Sequence, residues 1–101
     1  MRRGQLWRYR PVLDRPGQPT LRLIISADAI NTVDALPVLL SLHVLDSDPG
    51  GLLAVHVPPH GWASALTVEA TIRRRLVEHV DNASADTMEQ VDAALRAALE
   101  L

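Results

Sequence analysis

Short apolar runs separated by Pro- and Gly-rich breaks fill the first eighty residues, and only the last stretch adopts a helical period. Gln5 to Leu13 reads as a strand, with Leu6, Val12 and the aromatics Trp7 and Tyr9 set among arginines. Asp14 to Pro19 is a turn signal, because Pro fixes φ and Gly supplies positive φ. Leu21 to Ser26 is the clearest strand, short, branched and apolar, and Asp28 to Val33 suits a helical turn capped by Asp28. Pro37 to Leu45 is a second apolar run, punctuated by Ser41 and His43; the cluster Asp46 to Gly51 ends it, and Leu52 to Val57 predicts a further strand stopped by Pro58 and Pro59. Between Gly61 and Arg75, Trp62, Leu66, Val68 and Ile72 suggest one strand running into a basic bend at Arg73, Arg74 and Arg75, and Leu76 to Val80 adds a short closing strand. Met88, Val91, Leu95 and Leu99 then recur at helical spacing behind Ser84, a natural N-cap, with Asp86 and Glu89 near the positive end of the helix dipole. Several short strands closed by one amphipathic helix predict a mainly β chain with helices, an α+β fold built on a small barrel or sandwich.

Composition narrows this picture. The length of 101 residues suits a single domain spanning 1–101, and the 48% apolar content, without Phe, makes the core aliphatic. The absence of cysteine excludes a disulfide framework, a thiol nucleophile and Cys-based zinc sites. No run approaches the ~18 apolar residues of a membrane span, and the polar stretch after Met1 does not read as a signal peptide, so a soluble cytoplasmic protein is expected. The net charge of −2 conceals a polarity along the chain. Up to Leu23, six arginines face one aspartate; from Leu76 onward, six acids face only Arg96. A basic end of that kind can meet an anionic partner, although solvated surface charge gives the same pattern.

Few residues point to chemistry by themselves. His56 and His60 are separated by two prolines and cannot share a helix face as a metal pair would, and His79 reads as a surface residue. His43 follows Ser41 by one strand period, which puts both side chains on one face of an otherwise apolar strand. They are either a satisfied structural pair or a titratable site. Arg73, Arg74 and Arg75 suit a phosphate clamp or a solvated edge. Trp7, Tyr9 and Trp62 are the aromatic rings available to stack on bases or to anchor a core, and Trp7 beside Leu6 reads as an anchor.

Two segments carry a family resemblance. Arg3-Gly4-Gln5-Leu6-Trp7 resembles the Arg-Gly-Asp-Ile-Trp opening of the MazF/PemK-type toxins, and Leu23 to Asn31 resembles their Leu-Val-Val-Ser-Asn-Asp-x-x-Asn segment, with Ser26, Asp28 and Asn31 in register. Gly61 to Ile72 and the ending Thr87 to Leu99 are similar to the family's later strand and closing helix, so the likeness runs over most of the chain. It implies an SH3-like barrel of the CcdB/PemK kind that forms a homodimer and cleaves single-stranded mRNA without metal or cofactor. It further implies a MazE-like antitoxin partner, operator DNA contacted only through the antitoxin complex, and no membrane. In such cleavage the ribose 2′-OH attacks its own phosphate and leaves a 2′,3′-cyclic end.

The chain departs from the pattern at the catalytic positions. The family's Arg-Pro pair falls on Thr20-Leu21 and its Thr on His43. Arg22, on the same strand face as Thr20, is the expected phosphate stabiliser, His43 the expected proton carrier, and Ser41 and Thr20 supporting groups. Arg15, Arg73 and Arg74 are the expected RNA contacts. The alternative reading from the same resemblance is a non-catalytic binding module, either a CcdB-like gyrase inhibitor or an antitoxin-dependent regulator, and a barrel that binds some other protein partner is a third.

Overall fold

The structure is a computed structural model that describes residues 1–51 and 53–101. Its organising element is β3 (Val38–Leu45), the longest strand, which pairs antiparallel along one edge with β2 (Leu21–Ile24). The other edge is shared: β6 (Glu69–Ile72) takes the first half of β3, and β5 (Gly61–Ser64) takes its end. Outward from β2 lie β1 (Gln5–Tyr9) and then β7 (Leu76–Asn82), while β4 (Ala54–Val57) lies outside β5. A single turn, α1 (Asp28–Asn31), joins β2 to β3, and α2 (Ala85–Leu99) ends the chain.

The predicted run from Gly61 to Arg75 is therefore two strands, not one. A 3₁₀ turn at Ala65–Thr67, capped by Ser64 accepting from the Leu66 N–H, bends the chain so that β5 and β6 both reach β3. The predicted strand from Leu52 begins at Ala54, and Leu52 itself lies outside the described residues. The helical turn is not capped by Asp28: Ala27 is its N-cap, and the Asp28 carboxylate instead accepts the Arg3 N–H at 2.7 Å. The Ser84 cap is formed, accepting from Thr87 N at 3.1 Å.

The α+β class is as expected, but the sheet is not closed into a barrel. No ladder joins β7 to β6 or to β4 among the described residues. The corner after β6, a second 3₁₀ turn at Arg73–Arg75, donates the Arg73 N–H to Pro37 O and so is drawn toward the α1–β3 connection instead of extending a ladder. Where β7 and the β4–β5 turn approach, the link is a side-chain one, His60 Nε2 to Asp81 Oδ2 at 2.8 Å.

Two apolar clusters lie on opposite faces of the sheet. Leu6, Leu23, Leu42, Val44, Val55, Val57 and Ala63 pack against Val91 and Ala94 of α2, each large side chain contributing roughly 1.5–3 kcal/mol when fully buried. The opposite face carries a smaller cluster of Ile24, Leu39 and Leu76, lined by Met1, Trp7 and Tyr9. Gly61 makes the β5 crossing possible. A Cβ there would stand 2.0 Å from the Leu45 carbonyl oxygen, so no other residue fits without moving β3.

Candidate active site

The smaller-cluster face ends in a group of charged side chains. The β2–β3 register sets Arg22 directly opposite His43, so the two side chains share a face across adjacent strands. Glu69, at the start of β6, sits opposite Ser41 and reaches both of them. Arg22 Nε donates to Glu69 Oε1 at 2.8 Å, and His43 Nε2 is 2.9 Å from Glu69 Oε2. A carboxylate only accepts, so this pairing places a proton on Nε2, and in the neutral imidazole the lone pair is then on Nδ1. Nδ1 has no partner among the described residues, and His43 is partly exposed.

Arg22 is 2% exposed, and a buried guanidinium must be paired. Besides Glu69, its Nη1 donates to Pro19 O at 2.9 Å, and its Cζ lies 4.5 Å from the Tyr9 ring centroid in a cation–π contact. Nη2 makes no internal hydrogen bond among the described residues. Partial burial pushes the Glu69 carboxyl up, but hydrogen bonds from His43 and Arg22, with their charges, outweigh it and hold the group below the usual carboxylate range. It is ionised at neutral pH, which keeps the His43 tautomer fixed.

Of the other expected site residues, Ser41 adjoins the cluster only through Thr71, whose hydroxyl reaches Glu69 Oε1 at 3.3 Å, and the rest lie outside it. Ser41 is fully buried, and its Oγ meets Thr71 Oγ1 at 2.6 Å, tying β3 to β6. Thr20 accepts the Tyr9 N–H at its carbonyl, 2.6 Å, and lines a shallow pocket with Tyr9, Arg10 and Pro11. Arg15 is exposed in the β1–β2 loop. Arg73 spends its guanidinium on the carbonyls of Leu36, Asn31 and Ile30 at 2.8, 2.7 and 3.1 Å. Arg74 is exposed beside it, in the 3₁₀ turn past the end of β6, five residues beyond Glu69. No group of three His, Cys, Asp or Glu among the described residues is placed to hold a metal ion.

Glu69 is the member that sequence reasoning passed over. It is the one acid between Asp48 and Glu78, set in an apolar strand, and a lone carboxylate there needs a cationic partner. That signal was present; its partners were not visible until β6 was seen to lie beside β3.

The residues that carried the family likeness form a different network. Ser26 Oγ donates to Asn31 Oδ1 at 2.5 Å, Asn31 Nδ2 donates to Ser26 O at 2.7 Å and to Asp28 Oδ1 at 3.0 Å, and Leu40 N donates to Ser26 Oγ at 3.2 Å. Ser26 and Asn31 are buried with their polar side-chain atoms paired, while Asp28 reaches the surface, where it also faces Arg2 at 3.7 Å.

No family model and no curated protein sequence matches the chain. Solved structures do. An endoribonuclease in complex with its cognate antitoxin from a mycobacterial species superposes with a TM-score of 0.84 at 22% identity, covering 100% of this chain and 96% of that one. A mycobacterial endoribonuclease gives 0.81 at 21% identity, with 100% and 92% covered. The MazE–MazF complex of Deinococcus radiodurans gives 0.80 at 21%, with 100% and 96% covered. The molecule is thus an α+β protein with an open, sharply bent antiparallel sheet and a charged cluster on one face. Its fold is the MazF fold.

Proposed function

We propose that this chain is the toxin of a type II toxin–antitoxin pair and cleaves single-stranded RNA at the Arg22–Glu69–His43 cluster. The observation that carries the reading is the free Nδ1 of a histidine whose other nitrogen is fixed by a carboxylate, on the fold of known endoribonucleases. In the proposed step His43 Nδ1 takes the proton of a ribose 2′-OH. The 2′ oxygen bonds to phosphorus, the P–O5′ bond breaks, and the 5′ oxygen receives a proton from the imidazolium or water. Arg22, through Nη2, faces the charge that grows on the phosphate, and exposed Arg15 and Arg74 are assigned to the RNA strand on either side. No metal is required.

The same reading supplies partners. An antitoxin is assigned by likeness to the complexes above, with the basic N-terminal third of the chain as its anionic-tail contact. A second copy is assigned to the apolar residues Val38, Leu40, Val68, Ile72 and Leu99, all exposed, of which Val38 and Ile72 are paired across β3 and β6. Contiguous exposed apolar surface is what an interface between copies would cover. Cytoplasmic residence belongs to the proposal too; among the described residues, no helix is long and apolar enough to cross a membrane.

One observation favours a non-catalytic toxin-like binder: Arg22 is almost wholly buried and leaves only one guanidinium nitrogen for a phosphate. A single assay decides. The pure protein is incubated with long single-stranded RNA in EDTA and the new ends are mapped. Cyclic-phosphate ends that vanish in His43→Ala support the nuclease; intact RNA with dimeric, folded protein favours the binder.

A further inference from the structure

The molecule holds two His–Trp stacks, and only one is accounted for by the fold. Trp7 stacks on His79 with ring centroids 5.4 Å apart, donates Nε1 to Gln5 Oε1 at 2.9 Å and packs on the Ile24–Leu39–Leu76 cluster. That indole is an anchor. Trp62 stacks on His56 with centroids 4.6 Å apart and planes 26° from parallel. It belongs to neither apolar cluster, and its indole N–H makes no hydrogen bond among the described residues. Its ring partner, His56, is exposed on β4, which pairs only with β5.

The ladders fix where this pair stands. His56 is opposite Trp62, Trp62 is opposite Leu45, and Leu45 shares a face with His43 two residues back along β3. Trp62 is thus a diagonal neighbour of His43, about 7–8 Å away between Cα atoms by sheet geometry. A large, half-buried ring stacked on a second ring, next to the proton-carrying group and free of any core duty, is a surface for a planar ligand.

We infer that Trp62 and His56 form a shelf on which an unpaired nucleobase of single-stranded RNA stacks, seating its strand across the Arg22–Glu69–His43 cluster. The inference rests on the ribonuclease reading for its ligand. Ring stacking tolerates any base because every base has a π-face, so the shelf supplies affinity and selects unpaired over duplex strands; it does not read sequence. It also gives β4 and β5, which contribute nothing to the charged cluster, a part in binding.

The test separates binding from cleavage. A short 2′-O-methyl oligoribonucleotide is the probe, since it has no 2′-hydroxyl to attack. In Trp7→Phe protein, where Trp62 is the remaining indole, the probe should quench fluorescence saturably, while the same strand annealed to its complement should not. By anisotropy of a labelled probe, Trp62→Leu should weaken binding about tenfold, with Trp62→Phe within about twofold of native because a stackable ring remains. His56→Ala, at an exposed position with little at stake in folding, should weaken it about threefold. Native affinity in both Trp62→Leu and His56→Ala, or equal quenching by duplex, overturns the shelf. Quenching by the probe in a protein that cuts no RNA leaves the shelf standing and removes the ribonuclease reading. His43-dependent cleavage with no quenching does the reverse.

Discussion

The Ser26–Asp28–Asn31 network just past the end of β2 and the Arg22–His43–Glu69 cluster that begins on β2 both bond to the same neighbour, β3, yet they are finished differently. Asn31 is completely buried with both ends of its amide used, Ser26 Oγ both donates and accepts, and Arg73 adds a donor to the Asn31 carbonyl from the far side. Neither buried member, Ser26 or Asn31, is left to act on another molecule. In the charged cluster two atoms are left over: Glu69 fixes Nε2 of His43 but not Nδ1, and Glu69 and Pro19 O take Nε and Nη1 of Arg22 but not Nη2. A satisfied network fixes a chain; a network with one lone pair and one donor free is equipped for chemistry. The difference also explains why the segments that resemble the MazF/PemK-type toxins say more about fold than about activity.

Breaking each side of this comparison should give opposite phenotypes. His43→Ala removes the lone pair and should lower RNA cleavage by about 10²–10⁴-fold, the usual worth of a positioned proton carrier, with the melting temperature little changed. Native cleavage in this variant would remove the assignment. Asn31→Ala should do the converse. It strands the Ser26 carbonyl in a buried site, leaving the Ser26 hydroxyl only its Leu40 partners, at a cost of about 3 kcal/mol, a drop in melting temperature on the order of 15 °C for a domain of this size. Its cleavage per folded molecule at low temperature should match the native protein. A thermally native Asn31→Ala would show that the network is not what holds the β2–β3 connection.

The two regions also differ in how far they were legible before the fold was known. Ser26, Asp28 and Asn31 lie within six residues, so a local pattern reports a local structure. His43 and Arg22 were paired from strand parity and a family pattern, and the register places them opposite each other. Glu69 was out of reach, because its relation to them spans 26 and 47 residues and depends on β5 and β6 sharing one edge of β3. That sharing depends in turn on the bend at Ala65–Thr67, which apolar spacing across Trp62 to Ile72 does not reveal. Ser41 misled for a related reason. Parity puts it on the face of His43, but one step deeper along β3, where Thr71 satisfies it.

Glu69→Gln weighs how much the fixed tautomer matters. Glutamine has one oxygen where glutamate has two, so it cannot accept from Arg22 and His43 at separate atoms as Glu69 does. Cleavage should fall about tenfold, close to 1.4 kcal/mol in the barrier, with KM less affected than kcat. An equal rise in KM with unchanged kcat would assign Glu69 to binding instead.

The smallest effect concerns acid. Glu69 titrates below its ordinary value in the folded protein because of its bonds to His43 and Arg22, despite the opposing effect of burial. A lowered folded value means the carboxylate stabilises the fold at pH above its unfolded pKa of about 4.3, and that contribution disappears as pH falls through the folded value. Chemical denaturation at pH 7 should therefore separate native protein from Glu69→Gln by less than about 1 kcal/mol, the range for a partly exposed pair, and the gap should narrow below pH 4. Asp28 is also lowered, first by the Arg3 backbone N–H and then by Asn31, so acid loosens the other network as well. Asp28 is present in both proteins, however, and cancels between them. A gap that widens in acid would mean that Glu69 is held by contacts to its protonated form, and the ion-paired geometry of the cluster would have to be abandoned.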